Sequence, residues 1–236
     1  ASIGFGQFAH SIRRGVNMTY IVENNGVYGL TKGQFSATAD RGSKSKKGVT
    51  NTDNAIDLVA IALQLGATFV ARSFSGDKSQ LVPLISAAIE HRGSAFIDVI
   101  SPCIAFNNHA GSTKSFDYVR EHNDAVNRLD VLLGRDPITV DYEPGTVQMV
   151  EQHDGSRLAL RKIDADYDPN DRLAAMTFLQ KHAAKGQIVT GLLYIDPEAD
   201  DLHAHLDTVD TPLNTLDAKA LCPGSAALDK INAGLR

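Results

Sequence analysis

The stretch MTYIVENNG, Met18 to Gly26, decides the fold. Met18 to Val22 is apolar and β-branched, too short for a helix, and bounded by Asn17 and by Asn24-Asn25-Gly26, so it reads as a buried strand that runs out into a polar turn. Upstream, Phe5, Phe8, Ala9 and Ile12 recur at helical spacing and end in Arg13-Arg14-Gly15, which predicts a helix over Phe5 to Arg14. Downstream, Gly26 to Asp53 is a long glycine-rich polar loop carrying Lys32, Lys44, Lys46 and Lys47. Asn54 is then expected to cap a helix to Leu65, stopped by Gly66 and followed by a strand over Ala67 to Arg72. Asp77 to His91 places Leu81, Leu84, Ile85, Ala88 and Ile89 on one helical face, and Ala95 to Ile100 is a further buried strand.

Short apolar strands alternating with helices predict an α/β fold, a mostly parallel sheet with helices on both faces. Such sheets bind ligands beyond the carboxyl ends of their strands. That rule sends two segments to one rim: Asn24 to Gln34, leaving the first strand, and Ser101-Pro102-Cys103, leaving the strand over Ala95 to Ile100. Past Cys103 the pattern predicts a helix around Phe116 to Leu133. Strands are expected over Ile138 to Tyr142, Thr146 to Val150 and Leu158 to Lys162, then a helix from Asn170 to Lys185 and a strand from Ile188 to Tyr194. The expected organisation is a ligand-binding domain over 1–105, an extension over 106–196, and an extended arm over 197–236.

The 236 residues are 43% hydrophobic and 22% charged, enough for one sizeable core and incompatible with a disordered chain. No apolar run approaches the ~20 residues of a membrane-spanning helix. With 23 Lys and Arg against 28 Asp and Glu, the net charge of −5 offers no sequence-wide positive field for nucleic acid or an anionic membrane surface. Two cysteines, Cys103 and Cys222, lie far apart with no secretory leader before them, which is the pattern of a reducing, cytoplasmic setting. The sequence opens ASIGFG without an initiator Met and reads as a fragment or one piece of a cleaved chain.

Chemistry concentrates in Asn24 to Gln34. An Asn-Gly hairpin would require an alternating strand straight after Gly26, and Val27 to Gly33 lacks one. The alternative is a ligand loop. Amide and backbone oxygens suit a hard divalent cation, glycines allow close approach to a diphosphate, and Lys32 offers charge to an anionic group. Lys32 precedes Gly33, so this is not a Walker loop.

The runs ENNGVYGLTKGQFSATAD (Glu23 to Asp40) and DVISPCIAFNN (Asp98 to Asn108), with SFDYVREHN (Ser115 to Asn123), resemble the β subunit of the 2-oxoacid:ferredoxin oxidoreductases, most closely those of 2-oxoglutarate type. The resemblance extends to about Tyr194. It implies CoA-dependent oxidative decarboxylation of a 2-oxoacid to acyl-CoA, with thiamine diphosphate, Mg²⁺ and a [4Fe–4S] cluster as cofactors. It implies an α subunit and ferredoxin as partners. By this resemblance the side chain of Asn25 and the backbone oxygen of Val27 ligate Mg²⁺, and Asn24, Tyr28 and Gly29 line the cofactor loop. Leu30 shapes the substrate pocket, Lys32 faces the substrate carboxylate, and Cys103 matches one ligand of the cluster. The family's Gly-Asp-Gly opening and its amino-terminal Cys-x-x-Cys segment are expected before Ala1. One thiolate cannot hold a cubane cluster.

Other candidates carry less. Cys103 also fits a small buried hydrophobe, and Cys222 fits nothing else. His203 and His205 could chelate a metal from a strand but sit in a carboxylate-rich tail, and Arg41, Lys44, Lys46 and Lys47 form a basic cluster that suits a solvated loop, an acidic ferredoxin or a CoA phosphate. His109, His122 and His153 have no second ligand or base beside them. Two further readings are a thiamine diphosphate enzyme of a non-oxidative class, which has no need of Cys103, and a non-catalytic flavodoxin-like binding module. If Lys32 meets the substrate carboxylate, Lys32→Ala raises KM for the 2-oxoacid more than KM for CoA in steady-state assays; equal effects on both would refute the role.

Overall fold

The computed structural model describes residues 2–28, 34–39, 41–42, 49–101, 138–151, 157–222 and 224–235. Its element order opens with α1 (Phe5–Arg13), β1 (Met18–Asn24), β2 (Val27–Tyr28) and β3 (Gln34–Phe35). It continues with α2 (Leu58–Leu65), β4 (Phe69–Phe74), α3 (Lys78–Glu90) and β5 (Ser94–Ile100). Then follow β6 (Val147–Glu151), β7 (Arg157–Lys162), α4 (Arg172–Ala183) and β8 (Gln187–Ile195).

Six strands form one sheet in the order β1-β5-β4-β8-β7-β6. The β1–β5, β4–β5 and β7–β8 pairs are parallel, while β8 runs antiparallel to β4 and β6 antiparallel to β7. The expected mostly parallel sheet is therefore present, with an antiparallel junction in its middle. Alternation along the strands sends side chains to two faces. On one face Val70 and Phe96 pack with α1, α2 and α4 through Phe8, Leu63 and Leu179. On the other Phe69, Ala71, Ile97 and Val99 pack against Leu84 and Ala88 of α3. Phe8 anchors the first face, its ring centroid 5.3 Å from Tyr20 and 5.1 Å from Phe96 in edge contacts worth about 0.5–1.5 kcal/mol each beyond burial.

Four expectations need correction. The cap of α2 is Asp57, whose carboxylate accepts from the Val59 and Ala60 N–H groups, and Ala55 and Ile56 lie before the helix. Asn54 loses the role because Asp57 is also drawn to Arg72 across the sheet. Ile138 to Tyr142 is not a strand. Its backbone instead docks against Gly76, where Val140 N–H donates to the Gly76 oxygen at 3.2 Å, and its side chains join Phe74, Val150 and Leu160 in a third apolar cluster. The last residues are not an extended arm. His203–Arg236 is a second compact unit whose chain turns through α5 (Leu202–His205), a 3₁₀ turn at Leu213–Thr215, α6 (Ala218–Leu221) and α7 (Ser225–Gly234). His203 and His205 accordingly lie on a helical turn and not on a strand, with His203 Nδ1 3.3 Å from the Thr208 hydroxyl.

The first compact unit runs from Ala1 to Leu202, and strands from both the 1–105 and 106–196 stretches share its sheet. The helix expected at Phe116 to Leu133 lies outside the described residues, as do His109, His122, His153, Lys44, Lys46 and Lys47. Among the described residues, no helix is long and apolar enough to cross a membrane.

Gly76 shows how tightly the 138–142 segment sits. A Cβ there would lie 1.8 Å from the Ile138 carbonyl oxygen and 2.5 Å from the Phe74 ring, so any side chain must displace backbone. Gly76→Ala is expected to destabilise the protein by about 1–3 kcal/mol in urea unfolding; an unchanged midpoint would show that this docking is not formed.

Candidate functional site

The site is built where β1 and β5 end. The two strands pair in parallel register from Met18↔Ser94 to Asn24↔Ile100, and the ladder is closed by the Ser101 N–H donating to the Asn24 carbonyl at 2.9 Å. β4 ends on the same rim, where the Ser75 N–H donates to the Ile100 carbonyl at 2.9 Å. The two segments assigned to one rim from sequence thus leave the sheet side by side as far as Ser101. Cys103 lies outside the described residues.

At Asn25 the chain turns away from the sheet. The Asn25 side-chain oxygen accepts the Val27 N–H at 3.1 Å, an Asx turn, and Gly26 takes the left-handed conformation at φ 69° that the reversal requires. Beyond it β2 and β3 form a small antiparallel ribbon, with Val27 opposite Phe35 and Tyr28 opposite Gln34. The hairpin belongs to the loop itself and is not the β1 hairpin that Asn25-Gly26 would have made. Its register fixes the direction of one carbonyl. The Ser36 N–H donates to the Gly26 carbonyl at 3.0 Å, which makes Gly26 and Ser36 a hydrogen-bonded pair. Hydrogen-bonded and open pairs alternate in an antiparallel ladder, so Val27 and Phe35 are an open pair and the Val27 carbonyl faces away from β3.

A cleft of about 220 Å³ opens at this point, lined by Val22, Glu23, Asn24, Asn25, Val27, Tyr28, Ser36 and Thr38. Among its lining residues, Asn25 keeps a lone pair on its side-chain oxygen after the Asx turn, and Val27 has a carbonyl that β3 does not engage. Both are hard, neutral oxygen donors of the kind that ligate Mg²⁺ or Ca²⁺, so the residues present fit such an ion as part of its shell. Among the described residues there is no cluster of three or more His, Cys, Asp or Glu side chains that would hold a metal in another way. Tyr28 stands at the same loop with its hydroxyl 2.7 Å from Ser2 Oγ. Gly29, Leu30 and Lys32 lie outside the described residues.

The loop is stitched down from the far side. Thr38 Oγ1 donates to the Asn24 side-chain oxygen at 2.8 Å, the Ile56 N–H donates to the Ala37 carbonyl at 2.8 Å, and buried Asn51 donates to the Ala39 carbonyl at 3.0 Å. One step back along the strands is a buried ion triad. Val22, Asp98 and Arg72 are neighbours across β1, β5 and β4, one step before the row of Asn24 on the same face. Arg72 donates through Nε to Asp98 at 2.8 Å and through its other end to Asp57, the cap of α2. Asp98 is only 1% exposed. Burial would depress the Arg72 pKa, but the charges of Asp57 and Asp98 and their hydrogen bonds outweigh it, and the net direction is upward. Sequence reasoning missed Arg72, Asp57, Ser36 and Thr38. A charged residue inside an apolar strand was the available signal for Arg72, since it demands a partner.

Residues 1–99 match a family model described as the thiamine pyrophosphate enzyme, C-terminal TPP binding domain. A Sulfolobus 2-oxoacid:ferredoxin oxidoreductase subunit beta is 42% identical over 179 residues, 75% of this chain and 53% of the relative. The 2-oxoglutarate oxidoreductase subunit KorB of Mycobacterium tuberculosis is 37% identical over 121 residues, 51% of this chain and 31% of that protein. A solved 2-oxoglutarate:ferredoxin oxidoreductase from Magnetococcus marinus, with 2-oxoglutarate, coenzyme A and succinyl-CoA bound, superposes with a TM-score of 0.60 at 27% identity, covering 90% of this chain and 61% of the other. The chain spans about half the length of the Sulfolobus relative and about a third of the Mycobacterium one.

The ion triad makes a stability prediction. Arg72→Met strands the buried Asp98 carboxylate and is expected to cost about 3–5 kcal/mol, and adding Asp98→Leu is expected to recover most of that loss. Urea unfolding of the full-length protein checks both. A double variant no more stable than the single one would contradict the assignment.

Proposed function

We propose that this chain, a homologue of 2-oxoacid:ferredoxin oxidoreductase β subunits, is the cofactor-holding part of such a subunit and acts in the CoA-dependent oxidative decarboxylation of a 2-oxoacid, with 2-oxoglutarate favoured. The product is acyl-CoA, and the electrons pass to ferredoxin. The observation that carries this reading is the cleft at the paired ends of β1 and β5, where the Asn25 side chain and the Val27 carbonyl offer neutral oxygens within the stretch that matches a thiamine pyrophosphate family model.

In this reading Asn25 and Val27 hold Mg²⁺ against the diphosphate of thiamine diphosphate, and Asn24, Tyr28 and Gly29 border it. When bound, the cofactor supplies the electron sink for decarboxylation. The protein's part is to bind and orient. Leu30 bounds the substrate side, and Lys32 meets the 2-oxoacid carboxylate. Cys103, two residues past the last described residue of the β5 rim, contributes one thiolate to a [4Fe–4S] cluster, whose other ligands this chain does not supply. The remainder of the cofactor pocket comes from an α subunit. The working setting is a reducing cytoplasm, the compartment in which a chain with only two widely spaced cysteines is at home.

The full-length protein purified with its α subunit is expected to reduce ferredoxin only when thiamine diphosphate, Mg²⁺, CoA and 2-oxoglutarate are all present, with pyruvate turned over more slowly. Release of an aldehyde without CoA or electron transfer would instead identify a non-oxidative thiamine enzyme. Failure to bind thiamine diphosphate would leave a binding module.

A further inference from the structure

The second compact unit, His203–Arg236, has helices but no core: among its described residues none is buried. Leu206, Val209 and Leu213 in its first half, and Leu228, Ile231 and Leu235 at helical spacing along α7 and its end, are all 58–81% exposed. Helices of four and ten residues do not hold themselves together in water. The backbone is nevertheless punctuated for them. Asp217 caps α6 by accepting the Ala220 N–H at 2.8 Å, and Gly224 takes φ 80° ahead of α7. A segment that specifies helices and leaves their apolar side chains bare is completed by a surface it does not itself contain.

Charge says what that surface is. From Asp196 to Asp217 there are seven Asp and Glu side chains and no Lys or Arg. Asp201 is paired with Arg92, while Glu198, Asp200, Asp207, Asp210 and Asp217 are exposed to either side of the Leu206, Val209 and Leu213 stripe. An apolar stripe edged by carboxylates alone matches an apolar surface edged by Lys and Arg. The same charge repels a second copy of the segment, an acidic ferredoxin and an anionic lipid surface. The first unit is itself net negative, with 20 Lys and Arg against 24 Asp and Glu, so it is a poor seat as well. None of the residues lining the cleft belongs to the segment. We propose that residues 203–236 are a docking segment for the α subunit, seated on an apolar surface edged by Lys and Arg side chains, with Leu206, Val209 and Leu213 as its anchors. The inference rests on the reading of this chain as one subunit of a two-subunit enzyme.

The test is the affinity of the full-length subunit for the α subunit, measured by biolayer interferometry beside urea unfolding of the free subunit. Ending the chain at Leu202 is expected to weaken association by about a hundredfold or more, and Leu206→Ser with Leu213→Ser by about tenfold, with the unfolding midpoint of the free subunit unchanged. Asp207→Asn with Asp210→Asn is expected to weaken association and to flatten its dependence on salt. If the shortened chain does not fold, the Leu206 and Leu213 pair decides, since both side chains are exposed. Unchanged affinity in that pair would overturn the proposal, and an unchanged salt dependence in the Asp pair would refute the basic surface. A lower unfolding midpoint with affinity intact would show that the segment covers its own first unit, and loss of self-association would identify a second copy; either result overturns the proposal. An α subunit bound through this segment without 2-oxoacid turnover would remove the functional reading and leave the docking role. No binding of the α subunit by the unaltered protein would remove both.

Discussion

The parallel ladder between β1 and β5 is the constraint on which the site depends. Seven consecutive register pairs bring Asn24 level with Ile100, and the Ser101 N–H bonded to the Asn24 carbonyl carries the pairing one step past the last of them. Two loops from distant parts of the sequence must then start from the same place. A slip of one residue would turn every side chain of β1 to the other face, putting Asn24 away from the cleft and Val22 out of the core. The buried Arg72 and Asp98 occupy the adjoining strands one step below, and Arg72 reaches from the sheet to the cap of α2. The start of the cleft and the ion triad one step back along the strands are in this way referred to one set of backbone hydrogen bonds.

Much of this was legible in the sequence because β5 lies inside the sheet, buried on both faces, and the edge strand β1 still opens with a short apolar, β-branched run. Met18 to Val22 and Ala95 to Ile100 needed no partner to be recognised, and Asp77 stood where a cap should stand. What escaped depends on contacts made across the fold. Asn54 and Asp57 are both capping residues, and the choice between them is made by Arg72, on a strand that the sequence places later. Ile138 to Tyr142 has the composition of a strand, yet its backbone meets Gly76 and not a sheet edge. The antiparallel entry of β8 beside β4 follows from a long connection whose direction no local pattern encodes. In the site itself Asn24, Asn25 and Val27 were named from sequence, whereas Thr38 was not, because its partner lies fourteen residues upstream.

The lining of the cleft suits the chemistry proposed for it. A diphosphate carries its own negative charge, so the protein side can use neutral oxygens for the cation and amide donors for the anion without burying an unpaired charge. The Asx turn at Asn25 leaves its side-chain oxygen one lone pair, and the open ladder pair at Val27 turns that carbonyl away from β3. The role proposed for Asn25 and Val27 comes from the resemblance, and the register of the β2–β3 ribbon is compatible with it.

The most direct measurement is a crystal structure of the full-length subunit with thiamine diphosphate and Mn²⁺ in place of Mg²⁺, the metal located by its anomalous scattering. The account predicts the metal peak within coordination distance of both the Asn25 side-chain oxygen and the Val27 backbone oxygen. A peak bound elsewhere, with those two oxygens turned away from it, would contradict the account.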